Sequence, residues 1–174
     1  MSTLKDPVGP HNHVQGKSGA PVTLVEYGDY QCPSCGAAYP MIKQLQAQFS
    51  DDLRFVFRNF PLTEIHPDAL SAAMTAEFAD AHRHFWEVHH ALYENQSQLG
   101  WPLYEAIASK LRLPTDALQS ALEAGTYEKK IRDDFNGGVR SGVNGTPTFF
   151  INSQRYDGPS DFDDMKKSIN QLKR

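Results

Sequence analysis

Cysteine is scarce in this sequence: its 174 residues carry two, Cys32 and Cys35. A bridge between residues so close would shut a short loop and remove little entropy from the unfolded chain, so the pair is no disulfide scaffold and calls for a chemical reading. Positive charge is in deficit as well. Lys and Arg number 17 against 21 Asp and Glu, a formal net charge of −4, which removes the basic footprint of a nucleic-acid binder. No run approaches the roughly 18 apolar residues of a membrane-spanning helix. Residues 1–10 hold no apolar core of roughly 7 to 15 residues and do not read as a secretory signal. As written the sequence points to the cytoplasm, and a processed mature form would point to a periplasmic or extracytoplasmic site. Repeats and low-complexity tracts are also missing. What is present, 40% apolar with 22% charged residues, suits one globular chain whose core needs no metal staple, and a monomer is expected.

Residues 1–20 contain Pro7, Gly9, Pro10, Gly16 and Gly19 with few apolar anchors, which predicts an extended N-terminal arm packed loosely on the surface, His11 and His13 within it. The run Pro21–Tyr27 reads as a buried strand whose alternation sets Leu24 and Glu26 on one face and Val25 and Tyr27 on the other. Behind the cysteines, Ala37, Ala38, Met41, Ile42, Leu45 and Phe49 recur at helical spacing, so Cys32 falls where a strand hands over to a helix. Pro40 marks either a kink in that helix or its boundary. Leu53–Phe60 reads as a second strand stopped by Pro61.

From His66 to about Gly142 the pattern is helical, with breaks at Gly100–Pro102, Pro114 and Gly125, and Asn136-Gly137-Gly138 speaks against one unbroken last helix. The cluster His82, Arg83, His84, His89 and His90 reads as a solvated helix face titrating between about pH 6 and 7. Phe85 and Trp86 read as packing in the helical core. Thr148–Asn152 is a third strand and Gln154–Asp157 a short fourth, joined through Asn152-Ser153 as an antiparallel hairpin. Ser160-Asp161 caps a final helix carrying Phe162, Met165, Ile169 and Leu172 on one face.

The chemistry centres on Cys32-Pro33-Ser34-Cys35. Zinc would need two more ligands; there is no second C-x-x-C, and the histidines lack a matching paired spacing, so no metal is assigned. At the first turn of a helix a sulfur meets unpaired backbone N–H groups and the positive end of the macrodipole, which favours thiolate over thiol. Cys32 is therefore the attacking cysteine, Pro33 suits the first helical turn, and Cys35 is placed one turn deeper to resolve a mixed disulfide. Glu26, if buried as its strand position suggests, has a raised pKa and can exchange a proton with Cys35; a solvent-facing Glu at the strand end is the other reading.

A carboxyl six residues before the first cysteine, C-P-S-C at a helix start, Pro40 five residues after the second cysteine, and Gly145-Thr146-Pro147 opening a strand together resemble the DsbA-like family of thiol–disulfide oxidoreductases. The long separation of Cys35 from Pro147 exceeds that of a bare thioredoxin or glutaredoxin. The resemblance implies an α/β, thioredoxin-like fold with an inserted all-helical domain: an arm at 1–20, a thioredoxin-like domain at 21–62 and 143–174, and the insertion at 63–142. His13-Val-Gln-Gly16, Phe60-Pro-Leu-Thr63 and His66-Pro67 further resemble bacterial members, including domains attached to sodium/proton antiporters. The family implies a cis peptide before Pro147 and a Thr146 backbone that pairs with an extended substrate. It also implies protein dithiol or disulfide substrates, glutathione or a thioredoxin-type protein as redox counterpart, and no cofactor beyond a redox-active Cys32–Cys35 disulfide.

DsbA proper has His where Ser34 stands. A hydroxyl carries no charge, so a less acidic Cys32 and a potential between those of thioredoxin and DsbA are expected. The direction of electron flow depends on that potential relative to the compartment and stays open. Two other classes stay open too: a glutathione-dependent isomerase or transferase of the kappa type, and a non-catalytic thioredoxin-fold binding or chaperone module.

Overall fold

Five strands, β1 (His13–Gln15), β2 (Val22–Gly28), β3 (Leu53–Asn59), β4 (Thr148–Ile151) and β5 (Gln154–Arg155), form one sheet in the order β1-β3-β2-β4-β5, as seen in a computed structural model that describes residues 2–173. β2 and β3 run parallel, from Val22 opposite Leu53 to Gly28 opposite Asn59, and every other neighbouring pair is antiparallel. Parallel neighbours need a crossover, and α1 (Pro33–Phe49) supplies it. Five helices then intervene before β4: α2 (Ala69–Ala81), α3 (Phe85–Glu94), α4 (Trp101–Lys110), α5 (Thr115–Ala124) and α6 (Glu128–Arg140). The last, α7 (Phe162–Leu172), begins where the Asp161 carboxylate accepts the Asp164 N–H at 2.9 Å. No helix among the described residues is long and apolar enough to cross a membrane.

The alternation of β2 sorts the core into two layers. Val22 and Leu24 join Phe55, Phe57, the inner faces of α1 and α7, and buried residues of α2 and α3 in one continuous cluster. Val25 and Tyr27 face the opposite cluster with Val56, Phe60, Val143 and Phe150, and Phe135 of α6 stacks on Phe60 with centroids 4.1 Å apart. Glu26 points with Leu24, so a carboxyl enters the larger apolar layer; it is 1% exposed, which removes the solvent-facing reading. α1 continues through Pro40, which therefore lies inside the helix and not at its boundary.

The loose surface arm is not what the protein has. His13–Gln15 pair with β3 at the sheet edge, and Thr3 bridges to Gln154. His13 is buried, stacked on Phe85 with centroids 3.6 Å apart, and its Nε2 meets Glu77 Oε2 at 2.7 Å. A three-residue strand between turn formers has no period to read, so its burial depends wholly on the partner β3 offers.

α6 runs unbroken through Gly137 and Gly138, contrary to the expected weak point. A Cβ at Gly138 would stand 2.9 Å from Phe60 and 3.0 Å from Tyr27, so glycine is what lets the helix lie close on the sheet, and packing outweighs its poor propensity. The fourth predicted strand is shorter than read: β5 ends at Arg155, after a turn in which Asn152 and Ser153 both have positive φ, 47° and 71°. The histidine cluster is not a solvated face. His89 is 2% exposed, on the same side of α3 as Phe85 and Tyr93, and His82 and His90 are half-buried. Trp86 packs on Phe55 of the sheet as well as on Phe85.

Candidate active site

Cys32 is the N-cap of α1 and Pro33 its first residue; the first helical bond runs from Gly36 N–H to the Cys32 carbonyl at 3.0 Å. The turn before it is tied from several sides. Cys32 N–H donates to the Asp29 carbonyl at 3.1 Å. The buried Asp29 carboxylate accepts Gln31 N–H at 2.7 Å and Leu62 N–H at 2.9 Å, and meets His66 Nδ1 at 2.8 Å. Tyr30 hydroxyl is bonded to His89 Nδ1 at 2.9 Å, and the Gln31 carboxamide engages Asp68 both as donor and as acceptor. In the sequence Asp29, His66 and Asp68 carry no assigned role at the cysteine turn and His89 reads as part of a solvated face, because the partners that decide their places lie 33 to 59 positions along the chain.

The two cysteines are free and approach to 3.7 Å, Cys32 6% exposed and Cys35 fully buried. A hydrogen bond from the Cys35 thiol is the main cause that lowers the Cys32 pKa to about 5. Burial opposes it; the Thr146 hydroxyl and the backbone N–H groups of Cys35 and Ser34 assist. Burial pushes Cys35 well above the ordinary thiol value, and its bond to Cys32 and the charges of Glu26 and Cys32 add to this. Burial likewise raises Glu26 to about 8, with the Cys32 charge acting in the same direction. One Glu26 oxygen, Oε2, is buried without a hydrogen-bond partner, as befits a carboxyl that is neutral for much of the time.

The Thr146–Pro147 peptide is cis, and the Cys32 thiol lies 3.5 Å from the Thr146 carbonyl oxygen, to which it can donate. The Thr146 hydroxyl is buried with no other partner, leaving it for the Cys32 thiolate. Ser34 is exposed. It lines, with Ala37, Ala38, Thr146, Pro147 and Ser160, an open groove of about 400 Å³ beside the sulfurs. The structure thus brings Cys32, Cys35, Ser34, Thr146 and Pro147 together, with Glu26 buried within β2 near enough for its charge to act on Cys35 and the Cys32 charge to act on it. A more apolar groove of about 570 Å³, lined by Leu62, Ile65, Leu70, Ile131 and Phe135 among others, has neither cysteine nor histidine in its lining.

Metal-ligating atoms converge elsewhere, at His13, Glu77 and Asp80. There His13 Nε2 meets Glu77, His13 Nδ1 meets Asp80 at 3.4 Å, and Asn59 Nδ2 and Lys130 Nζ approach Glu77 at 2.8 and 3.6 Å. This is a hydrogen-bonded ion network in which both His13 ring nitrogens are already engaged by carboxylates and Lys130, bonded to Asp134 at 2.7 Å, also approaches Glu77.

Comparisons with known proteins agree with this geometry. The thioredoxin family model matches residues 9–171. The Na(+)/H(+) antiporter NhaA 1 of Salinispora arenicola is 38% identical over 167 residues, 95% of this chain but 26% of that protein. NhaA 1 of Mycobacterium sp. strain KMS is 39% identical over 162 residues, 91% of this chain and 26% of that protein. The chain therefore spans 26% of the length of these curated relatives. Among solved structures, oxidised BdbD from Bacillus subtilis superposes with a TM-score of 0.86 at 26% identity, over 99% of this chain and 98% of that one. A thioredoxin-like oxidoreductase from Silicibacter pomeroyi gives 0.81 at 25% identity, over 94% and 92%. The fold of Wolbachia pipientis α-DsbA1 matches with a TM-score of 0.80 at 22% identity, over 98% and 94%. Sheet order, the helices between β3 and β4, and the full-length matches lead to one conclusion: this chain belongs to the thioredoxin family and has the DsbA-like form of its fold.

Proposed function

We propose that this protein is a thiol–disulfide oxidoreductase acting on protein substrates through Cys32 and Cys35. The observation that carries this reading is the opposed environment of two sulfurs 3.7 Å apart: one held as thiolate at a helix N-terminus, the other buried as thiol. In this reading residues 21–62 and 143–174 are the thioredoxin-like unit and 63–142 the insertion. An extended substrate segment pairs with the Thr146 backbone across the open groove, which sets its disulfide over Cys32.

The Cys32 thiolate attacks one substrate sulfur, forms a mixed disulfide and expels the other substrate sulfur as thiolate, which takes a proton from water. Cys35 then gives its proton to the Glu26 carboxylate and attacks Cys32. The Cys32–Cys35 disulfide forms, the second substrate thiolate leaves, and the substrate has gained the two electrons the protein lost. A carboxyl whose pKa lies near 8 exchanges protons both ways at neutral pH, so in reverse Glu26 returns the proton to Cys35 while a substrate dithiol is oxidised. The compartment's redox poise, through glutathione or a thioredoxin-type partner, sets the net direction.

The test is trapping. Reduced Cys35→Ala, mixed with a disulfide-bonded protein, accumulates a mixed disulfide at Cys32, whereas Cys32→Ala forms none. Exchange activity that survives in Cys32→Ala would overturn the assignment and favour a thiol-independent binding role.

A further inference from the structure

Gln96 stands on a 3₁₀ turn, Gln96–Gln98, between α3 and α4. The turn is anchored from behind: Asn95 Nδ2 donates to the Ala91 carbonyl at 2.9 Å, and Gln98 N–H to the Asn95 carbonyl at 2.9 Å. From there the side chain reaches into the cysteine loop. Gln96 Nε2 donates to the Tyr30 carbonyl at 2.9 Å and to the Cys32 carbonyl at 2.8 Å. A primary amide has two N–H donors, and both are used. The reverse amide orientation would set an oxygen against two carbonyl oxygens, so the arrangement is the only one that satisfies the group. The carbonyl end of the amide, Oε1, lies against Gly36, where a Cβ would stand 2.2 Å away. Glycine at 36 is what admits the carboxamide to the first turn of α1.

We infer that Gln96 is a positioning residue for the nucleophilic sulfur: by holding the carbonyls on either side of Gln31, it fixes the backbone of Cys32 so that Sγ faces the first amides of α1. This rests on the proposed thiol–disulfide chemistry and adds to it a residue contributed by the helices between β3 and β4. The Cys32 carbonyl is shared between Gly36 N–H, which closes the helix, and Gln96, which comes from outside it. Removing the outside donor leaves the Cys32 carbonyl to its helical bond alone, with Asp29 holding only the Cys32 N–H, and the sulfur's aim at the Ser34 and Cys35 N–H groups loosens. The thiolate then loses stabilisation, and with it the reduced protein. Neighbouring ties from His89 to Tyr30 and from Asp68 to Gln31 keep the loop in place without fixing the Cys32 carbonyl.

The test is Gln96→Met, which keeps bulk and removes both donors. It is read by thiolate absorbance against pH, by equilibrium with glutathione, and by thermal melting. The Cys32 midpoint is expected to rise by about half a pH unit, and the glutathione equilibrium to move about threefold toward the disulfide form. Gly36→Ala is expected to shift the midpoint in the same direction by expelling the carboxamide, and to add nothing in a Gln96→Ala background. A folded Gln96→Met protein with the wild-type midpoint and equilibrium would overturn the inference even if its melting temperature fell, as would full additivity of the Gly36 and Gln96 substitutions. Failure of the wild-type protein to exchange disulfides would instead sink the functional reading on which it rests.

Discussion

The sulfur of Cys32 and the carbonyl oxygen of Thr146 lie 3.5 Å apart although 114 positions separate them in the chain. This contact joins the start of α1 to the loop before β4, whose Thr146 and Pro147 line the open groove together with Ser34.

The Cys32 thiol is expected to titrate with a midpoint of about 5 in the reduced protein, read from thiolate absorbance. Cys35→Ala removes the main stabilising hydrogen bond and raises that midpoint. The folded value lies below the unfolded one of 9, so Cys32 contributes stability to the reduced protein above pH 9 and loses it as pH falls through 5. The disulfide form has no such contribution. Melting both forms from pH 9 down to pH 5 should therefore show the oxidised protein pulling ahead as the pH drops.

Glu26 shifts the other way. Its folded value, about 8, exceeds the ordinary 4.5, so burial is tolerated below pH 4.5 and becomes steadily more costly as pH rises through 8. Glu26→Gln is expected to gain stability relative to wild type across that range, by on the order of a few kcal/mol at the alkaline end. It should also slow resolution of the mixed disulfide by on the order of a hundredfold while leaving the first attack by Cys32 near its wild-type rate. Stopped-flow kinetics of the two steps separates these outcomes, and equal slowing of both would argue against the proton-exchange role.

His13→Ala is expected to destabilise the fold by about 3 kcal/mol in urea unfolding, because it deletes the stack on Phe85 and leaves the buried Glu77 carboxylate short of a donor. Burial pushes Glu77 up, but the hydrogen bond and charge of His13, with Lys130 and Asn59, hold it below its ordinary value. Its contribution is thus present above pH 4.5 and lost in acid. The variant should show a weaker loss of stability on acidification than wild type.

Gly138→Ala should lower stability by about 1–3 kcal/mol although alanine is the better helix former, because the added methyl meets Phe60 and Tyr27 at 2.9 and 3.0 Å. Thermal melting checks the sign: a rise in melting temperature would mean the α6–sheet contact is slack.

The sequence alone carried the thiol pair at a strand-to-helix handover, the side of β2 on which Glu26 lies, and the order of most elements. Those features are local: alternation, helical spacing and the unpaired amides of a helix start operate over a few residues and are legible wherever they occur. The burial of His13 and His89, the continuity of α6 through Gly137 and Gly138, and the bracket from Gln96 were decided only by the tertiary structure. His13 bonds a residue 64 positions away, and Gln96 reaches back 64 positions to Cys32. Contacts at such separations leave no period in the chain. Whether a polar side chain is exposed or enclosed, and whether a glycine breaks a helix or lets it approach a sheet, depends on the surface that folding brings against it.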